Sequence, residues 1–151
     1  MRILPMIKRI RLFEKDPSVA NTIIMRLPRD LECLVVRGVI EVDHETAYFT
    51  GNKIVRKIPH FNWVQAIVLN FELGCEQPEG SITSCELILN WQSDGFRNPI
   101  FLLYASSSEF EQATALLKLF DLEDTVTLIH SETEFTVLQQ HLNQIASQPL
   151  P

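Results

Sequence analysis

The chain has 151 residues, of which 46% are apolar and 21% charged, and its formal net charge at neutral pH is −6. This length and composition predict one folded domain and argue against a disordered chain. No run reaches the roughly 20 apolar residues that a membrane-spanning helix needs, and the acidic balance disfavours nucleic acid as a partner.

Basic charge is concentrated in the first part of the sequence. Residues 1–60 contain 11 basic and 7 acidic side chains, whereas residues 61–151 contain 2 basic and 12 acidic ones. Such a separation is typical of a protein with a charged partner, or of one whose two faces attract each other. It predicts a basic surface but does not identify what binds there.

The first 60 residues predict an arm, a helix and several strands. Residues 1–15 are interpreted as an N-terminal arm. Asp16 and Pro17 are residue types typical of a helix cap and of the first helical position, and apolar residues at helical spacing extend the predicted helix to Leu27. The strands that follow are predicted from branched apolar residues between turn signals: 33–42, 47–49 and 54–58.

The middle of the sequence predicts an antiparallel meander over residues 63–105. Three apolar runs are interpreted as its strands, and two segments rich in turn-forming residues connect them. In chain order these strands and connections are 63–73, 74–81, 82–91, 93–95 and 99–105.

Two motifs of the form S-x-x-E mark the starts of the last two predicted helices. Ser108 with Glu111 and Ser131 with Glu134 fit this capping box, and each pair precedes an apolar stripe at helical spacing. Residues 125–129 predict a short strand between the two helices. The second stripe, which is expected to pack on the sheet, consists of Phe135, Leu138, Leu142 and Ile145.

A run of strands followed by helices predicts an α+β fold. We expect an antiparallel sheet of five to six strands, covered by the C-terminal helices, in a single domain over residues 16–147. Residues 148–151 are expected to fray. The plan of about residues 33–120 is similar to that of a pleckstrin-homology-like module, which implies a bent antiparallel sheet closed by a helix as the alternative.

The sequence lacks the short motifs that mark phosphate binding and nucleophilic catalysis. It contains no G-x-x-x-x-G-K-[ST], G-x-G-x-x-G or G-x-S-x-G pattern. We therefore predict no cofactor and no catalytic residue.

One acidic segment is a candidate metal site. Glu41, Asp43 and Glu45 would share one face of a strand beside His44, and three carboxylates on one face could hold a hard cation. An exposed acidic strand end and turn is the favoured interpretation.

The remaining candidates are a histidine segment and the cysteines. His130 and Glu132 stand at a junction of strand and helix, where a capping segment is favoured over an acid–base pair. The odd number of cysteines predicts reduced thiols in a cytoplasmic protein, although a Cys75–Cys85 disulfide stays open. Cys33 and Cys85 are expected in the core, and the loop residue Cys75 is the thiol expected to react.

Two basic clusters form the predicted binding site. If they converge in space, they would make a face for an acidic protein or for anionic lipid headgroups. The competing interpretation is a solvated surface paired with the chain's own acids. The six residues are Lys8, Arg9, Arg11, Lys53, Arg56 and Lys57.

These observations predict a non-enzymatic interaction module. We expect a small cytoplasmic adaptor or assembly factor that binds an acidic protein partner through the basic surface. Peripheral binding to anionic lipid is one alternative, and a small enzyme whose acid–base pair cannot be recognised from sequence is another. Self-association, basic face to acidic face, also remains open.

Overall fold

The computed structural model describes residues 8–51, 53–56, 64–73 and 82–148. These residues form a five-stranded parallel sheet, a separate three-stranded antiparallel sheet and four helices. In chain order the elements are β1 (Lys8–Phe13), α1 (Pro17–Met25), β2 (Leu31–Val36), β3 (Gly38–Val42), β4 (Glu45–Thr50), β5 (Lys53–Arg56), β6 (Ala66–Asn70), α2 (Ser84–Ser93), β7 (Ile100–Tyr104), α3 (Ser107–Leu119), β8 (Val126–His130) and α4 (Phe135–Ser147).

The parallel sheet has the strand order β2-β1-β6-β7-β8. Its inner strands are almost continuously apolar; four consecutive residues are buried in each of β6 and β7. Such runs are typical of parallel strands, because helices or other layers cover both faces of the sheet. After β1 the chain adds β2 on one side of it, and later adds β6, β7 and β8 on the other side. The strand order therefore reverses between β1 and β6.

Each face of the parallel sheet has its own hydrophobic core. On one face, Ile10 and Leu12 of β1 pack with α1 and α4, through residues such as Ile23 and Leu138. On the other face, Phe13 of β1 packs with α2, α3 and the antiparallel sheet. The alternation of β1 side chains therefore divides the strand between the two cores.

The antiparallel sheet, of order β3-β4-β5, packs against this second core. The ring of Tyr48 in β4 lies 5.5 Å from that of Phe13, and Trp91 of α2 donates a hydrogen bond from Nε1 to the Tyr48 hydroxyl at 3.2 Å. The β3–β4 turn places Asp43 and His44 in the left-handed region, with φ of 50° and 67°. Two such residues give the turn the twist that a tight hairpin requires.

The predicted antiparallel meander over 63–105 is wrong. Most of the strand predicted over residues 82–91 belongs instead to α2 (Ser84–Ser93). Strands β6 and β7, which precede and follow this crossover helix, pair in parallel. The helix begins at a capping box of Thr83 and Glu86, and it buries Cys85, Ile88 and Trp91 at helical spacing. The pleckstrin-homology-like alternative is wrong for the same reason, because the main sheet is parallel.

Several boundaries also differ from the predictions. Residues 8–13, placed in the N-terminal arm, form β1 inside the sheet. Helix α3 begins two residues early, because Ser106 rather than Ser108 accepts the hydrogen bond from a first-turn amide. Helix α4 begins at Phe135 without a side-chain cap, so the Ser131 capping box is not formed.

Two helix predictions are confirmed. Asp16 caps α1 by accepting a hydrogen bond from the Ser18 amide at 2.9 Å. In α4, the predicted stripe packs on the sheet, with Leu138, Leu142 and Ile145 buried. Within the described ranges, no helix is long and apolar enough to cross a membrane.

Candidate functional site

Lys8, a predicted binding residue, makes structural contacts within the fold. Its ammonium group donates hydrogen bonds to the carbonyl oxygens of Ile145 and Ala146 at 3.0 and 2.6 Å, and also to that of Gln148. These carbonyls lie at the C-terminal end of α4, where backbone acceptors lack helical partners and the helix dipole favours a cation. Lys8 therefore caps a helix.

Arg9 and Arg11 share the face of β1 that also carries Phe13. Arg9 Nε lies 3.4 Å from the Glu32 carboxylate of β2. Nε of Arg11 is buried and makes no hydrogen bond within the described part of the chain. Burial, followed by the charge of Arg9, lowers the pKa of Arg11. Both arginines belong to an inner strand of the parallel sheet, and both are partly buried.

The second basic cluster lies on β5, while Lys57 is outside the described residues. All four residues of β5 are exposed; Ile54 and Val55 retain 60% and 40% exposure. We call Lys53, Ile54, Val55 and Arg56 the β5 surface. Among described strands, β5 pairs only with β4 and forms one edge of the antiparallel sheet. Its backbone groups on the other side are therefore not paired with a described strand.

Side chains on the β5 surface alternate between the two faces of the antiparallel sheet. Val55 is opposite Tyr48 and Ile54 is opposite Phe49. All four β5 side chains are exposed, whereas Tyr48 of β4 is buried in the core. Strand β5 therefore lies outside the core against which β4 packs. Arg56 approaches the Glu45 carboxylate only at 4.0 Å, and both side chains are largely exposed. A surface pair of this kind contributes little stability.

The two predicted clusters lie in different sheets. β1 is an inner strand of the parallel sheet, and β5 is an edge strand of the antiparallel sheet. The β1 residues contribute to the parallel sheet and, through Lys8, to the end of α4, whereas the β5 residues face solvent.

A second group of polar residues lies where β1 and β6 end, beside the point at which the strand order reverses. Ligands of open parallel sheets bind at this place. Glu14 is only 2% exposed, and its carboxylate accepts hydrogen bonds from Asn70 Nδ2 at 2.8 Å and from the Asp16 amide at 3.2 Å. Burial raises the pKa of Glu14, and the Asn70 hydrogen bond opposes this effect. Lys15 and Glu72 form an ion pair at 3.2 Å beside them.

At the ends of β7 and β8, polar groups also form hydrogen bonds with one another. One carboxylate oxygen of Glu134 accepts hydrogen bonds from the Tyr104 hydroxyl at 3.2 Å and from the His130 amide at 2.9 Å. His130 Nδ1 accepts from the amides of Glu132 and Thr133 at 3.2 and 3.0 Å. This geometry requires Nδ1 to be unprotonated. His130 and Glu132 thus serve a strand-to-helix connection.

The acidic segment considered for a metal forms the end of a hairpin. Asp43 and His44 are its turn residues, and Glu41 and Glu45 lie on the two strands that the turn connects. Across the ranges that the structure describes, no group of three or more His, Cys, Asp or Glu side chains is arranged to hold a metal ion.

The described cysteines have the surroundings of core residues. Burial raises the pKa of Cys33 to about 11, and it also raises the pKa of Cys85. Both are free thiols. Cys75, predicted to be the reactive thiol, lies outside the described residues, and Cys85, its possible disulfide partner, is a free thiol.

No sequence motif identifies Glu14 and Asn70 as a pair. Their one local signal is that each ends, or directly follows, an apolar strand. Comparison with known proteins does not add a candidate site: no protein-family model matches the chain, and no curated protein is significantly similar to it in sequence.

Proposed function

We propose that the protein is an interaction module that binds an extended, acidic segment of a partner protein along the β5 surface. The observation that carries the proposal is the exposure of all four residues of this edge strand. An edge strand offers backbone donors and acceptors that an added strand can pair, while its side chains select the sequence of that strand.

The side chains of the β5 surface favour an acidic partner with apolar residues. Lys53 and Arg56 stand at the two ends of the strand and bracket Ile54 and Val55. Cations at an edge normally oppose strand addition. An acidic segment would reverse that effect, because its charges attract Lys53 and Arg56 while its apolar residues cover Ile54 and Val55.

Protein is favoured over anionic lipid as the partner. Lipid headgroups would use the two cations but would leave the backbone edge unpaired, whereas a polypeptide would use both. The free thiols of Cys33 and Cys85 are consistent with a reducing compartment, which supports a small cytoplasmic adaptor or assembly factor.

The polar groups at the strand ends support a non-enzymatic role. In the described residues, the Glu14 carboxylate is bound by Asn70, the Glu134 carboxylate is bound by Tyr104, and His130 Nδ1 accepts backbone hydrogen bonds. A general acid or base must reach the proton it transfers. These groups are instead directed toward one another, where they stabilise the ends of the strands.

Titration with defined peptides tests this proposal. An extended peptide of alternating Glu and Val is added to the ¹⁵N-labelled protein, and a Lys–Val peptide of the same length is the comparison. We expect saturable amide shifts centred on residues 53–56 with the acidic peptide alone, and weaker shifts at higher salt. Equal shifts with both peptides, or shifts centred elsewhere, would contradict the proposal.

Charge reversal on the β5 surface provides the second test. Lys53→Glu with Arg56→Glu should abolish peptide binding and leave the fold intact, because both side chains are exposed. Lys118→Glu changes an exposed lysine on α3 and is the control for a change of net charge. If vesicles of anionic lipid bind the wild-type protein and the acidic peptide does not, the lipid alternative replaces the proposal.

A further inference from the structure

The C-terminal end of α1 exposes apolar and basic side chains together. Ile24 and Met25, the last two residues of the helix, are 38% and 84% exposed. Arg26 and Arg29, which follow them, are exposed as well. Methionine and arginine are enriched at protein–protein interfaces relative to the rest of the surface. We call these four residues the α1-end surface.

The C-terminal end of α3 is also apolar but has the opposite charge. Leu119, the last residue of the helix, is 73% exposed, and Phe120 is 41% exposed. The exposed acids that follow are Asp121, Glu123 and Asp124. Adjacent exposed apolar side chains with a polar rim are typical of an interaction surface. We call these five residues the α3-end surface.

The fold holds both surfaces in place. Where α3 ends, the Leu122 amide donates a hydrogen bond to the Leu117 carbonyl at 2.7 Å, and Leu122 itself is buried. At the α1-end surface, the guanidinium carbon of Arg26 lies 4.9 Å from the centroid of the Phe135 ring in α4. Side chains that are already ordered lose less entropy on association, so these surfaces are suited to binding.

The two surfaces lie on opposite faces of the parallel sheet. Helix α1 joins β1 to β2 and packs on one face, whereas α3 joins β7 to β8 and packs on the other. A crossover helix returns the chain to the edge at which parallel strands begin, so both helices end at this edge. Because the sheet separates them, the α1-end and α3-end surfaces can pair only between two molecules.

Charge complementarity favours a second copy of the chain as the partner. The α1-end surface has a formal charge of +2, and the α3-end surface has one of −3. The adjacent Asp30 and Lys118 reduce these charges to +1 and −2 without changing their signs. Opposite charges around apolar contacts steer two proteins together and fix their orientation. One chain therefore carries both halves of a complementary contact.

We infer that the protein self-associates head to tail, with the α1-end surface of one copy on the α3-end surface of the next. The apolar residues of the two surfaces would cover one another, and the arginines would face the acids. Such a heterologous contact leaves one surface of each kind free at the ends, so copies continue to add until a ring closes. This inference does not depend on partner binding at β5.

Sedimentation equilibrium of the full chain tests self-association. At low salt, we expect the mean mass to rise with protein concentration from that of one chain to beyond that of two. High salt should lower the mean mass, because it screens exposed charges. A mass that stays at one chain at every concentration, or that stops at two copies, would overturn the inference.

Charge reversal on each surface tests the pairing itself. Arg26→Glu with Arg29→Glu should weaken self-association about tenfold, and so should Glu123→Lys with Asp124→Lys, because like charges would then face each other. An equimolar mixture of the two double variants should assemble again, since each reversed surface meets its complement on the other variant. A mixture that remains monomeric, although both variants are folded by circular dichroism, would overturn the inference.

Two exposed apolar side chains provide a test that does not depend on the charge variants. Met25→Ser removes the most exposed apolar side chain of the α1-end surface and should weaken self-association about fivefold. Leu34→Ser is the control, because Leu34 is 42% exposed on β2 and belongs to neither surface. It should leave self-association unchanged. Equal weakening by both variants, or by neither, would overturn the inference.

Discussion

The Glu14 carboxylate and the Asn70 amide form a 2.8 Å hydrogen bond between residues 56 positions apart in the sequence. It joins the ends of the two strands between which the strand order reverses. The Asn70 side-chain oxygen also accepts from the Glu72 amide at 3.0 Å. Polar groups at this crevice thus hold the adjacent strand ends together, and Glu14 remains buried next to a donor that stabilises its charged form.

Replacement of Asn70 should have a cost that depends on pH. Burial raises the pKa of Glu14, so the folded state retains the proton to higher pH than the unfolded chain does. The stability that this proton provides is present below the unfolded pKa and is lost as pH rises through the folded pKa. Above the folded pKa, Glu14 is ionised, and the hydrogen bond from Asn70 stabilises its buried carboxylate. Asn70→Ala should therefore lower the free energy of unfolding by about 2 kcal/mol near pH 7, and by less near pH 4.

Denaturant titrations at both pH values measure this difference, and Asn98→Ala is the matched control. Asn98 donates from Nδ2 to the neutral carbonyl of Val64 at 2.7 Å. Its loss should cost about 1 kcal/mol at either pH, because no titrating group is involved. A cost for Asn70→Ala that is equal at the two pH values would mean that the charge of Glu14 does not depend on this contact.

A side chain at Gly38 should lower stability, because the Phe49 ring lies directly over this residue. A Cβ at this position would overlap three carbon atoms of that ring. The two residues face each other across the β3–β4 ladder. Gly38→Ala should therefore lower the free energy of unfolding by about 2 kcal/mol through overpacking. Melting or denaturant curves measure this loss.

A double-mutant cycle with Phe49→Leu identifies the cause of that loss. If the ring is responsible, Gly38→Ala should cost much less in the Phe49→Leu background, because a smaller side chain leaves room for the methyl group. A cost that does not change between the two backgrounds would instead indicate a requirement of the Gly38 backbone.

One segment explains why an antiparallel meander was predicted. In residues 84–93, Cys85, Leu87, Leu89 and Trp91 alternate as in a strand, yet Cys85, Ile88 and Trp91 also recur at helical spacing. The two periods coincide in so short a stretch, and only the Thr83 capping box favours the helix. With a helix here, β6 and β7 are joined by a crossover and can pair directly in parallel; with a strand here, each would instead pair antiparallel with that middle strand.

The candidate surfaces were predictable in charge but not in exposure. Lys53 and Arg56 are evident in the sequence. Ile54 and Val55 between them resemble core residues, because a short branched apolar pair is typical of a buried strand. Their exposure follows from the position of β5 at a sheet edge, which depends on long-range packing. The burial of Glu14 likewise depends on Asn70, and no local pattern links the two.

Lys8→Met should separate structural cations from binding cations. The methionine keeps most of the apolar stem but loses the hydrogen bonds to the Ile145 and Ala146 carbonyls at the end of α4. We expect a loss of about 1 kcal/mol in the free energy of unfolding. The Glu–Val peptide should bind this variant as well as it binds the wild-type protein. The Lys53→Glu, Arg56→Glu double variant should show the opposite result, with normal stability and no binding. If Lys8→Met keeps its stability but binds the peptide more weakly, Lys8 contributes to the binding surface, as the charge pattern of the sequence predicted.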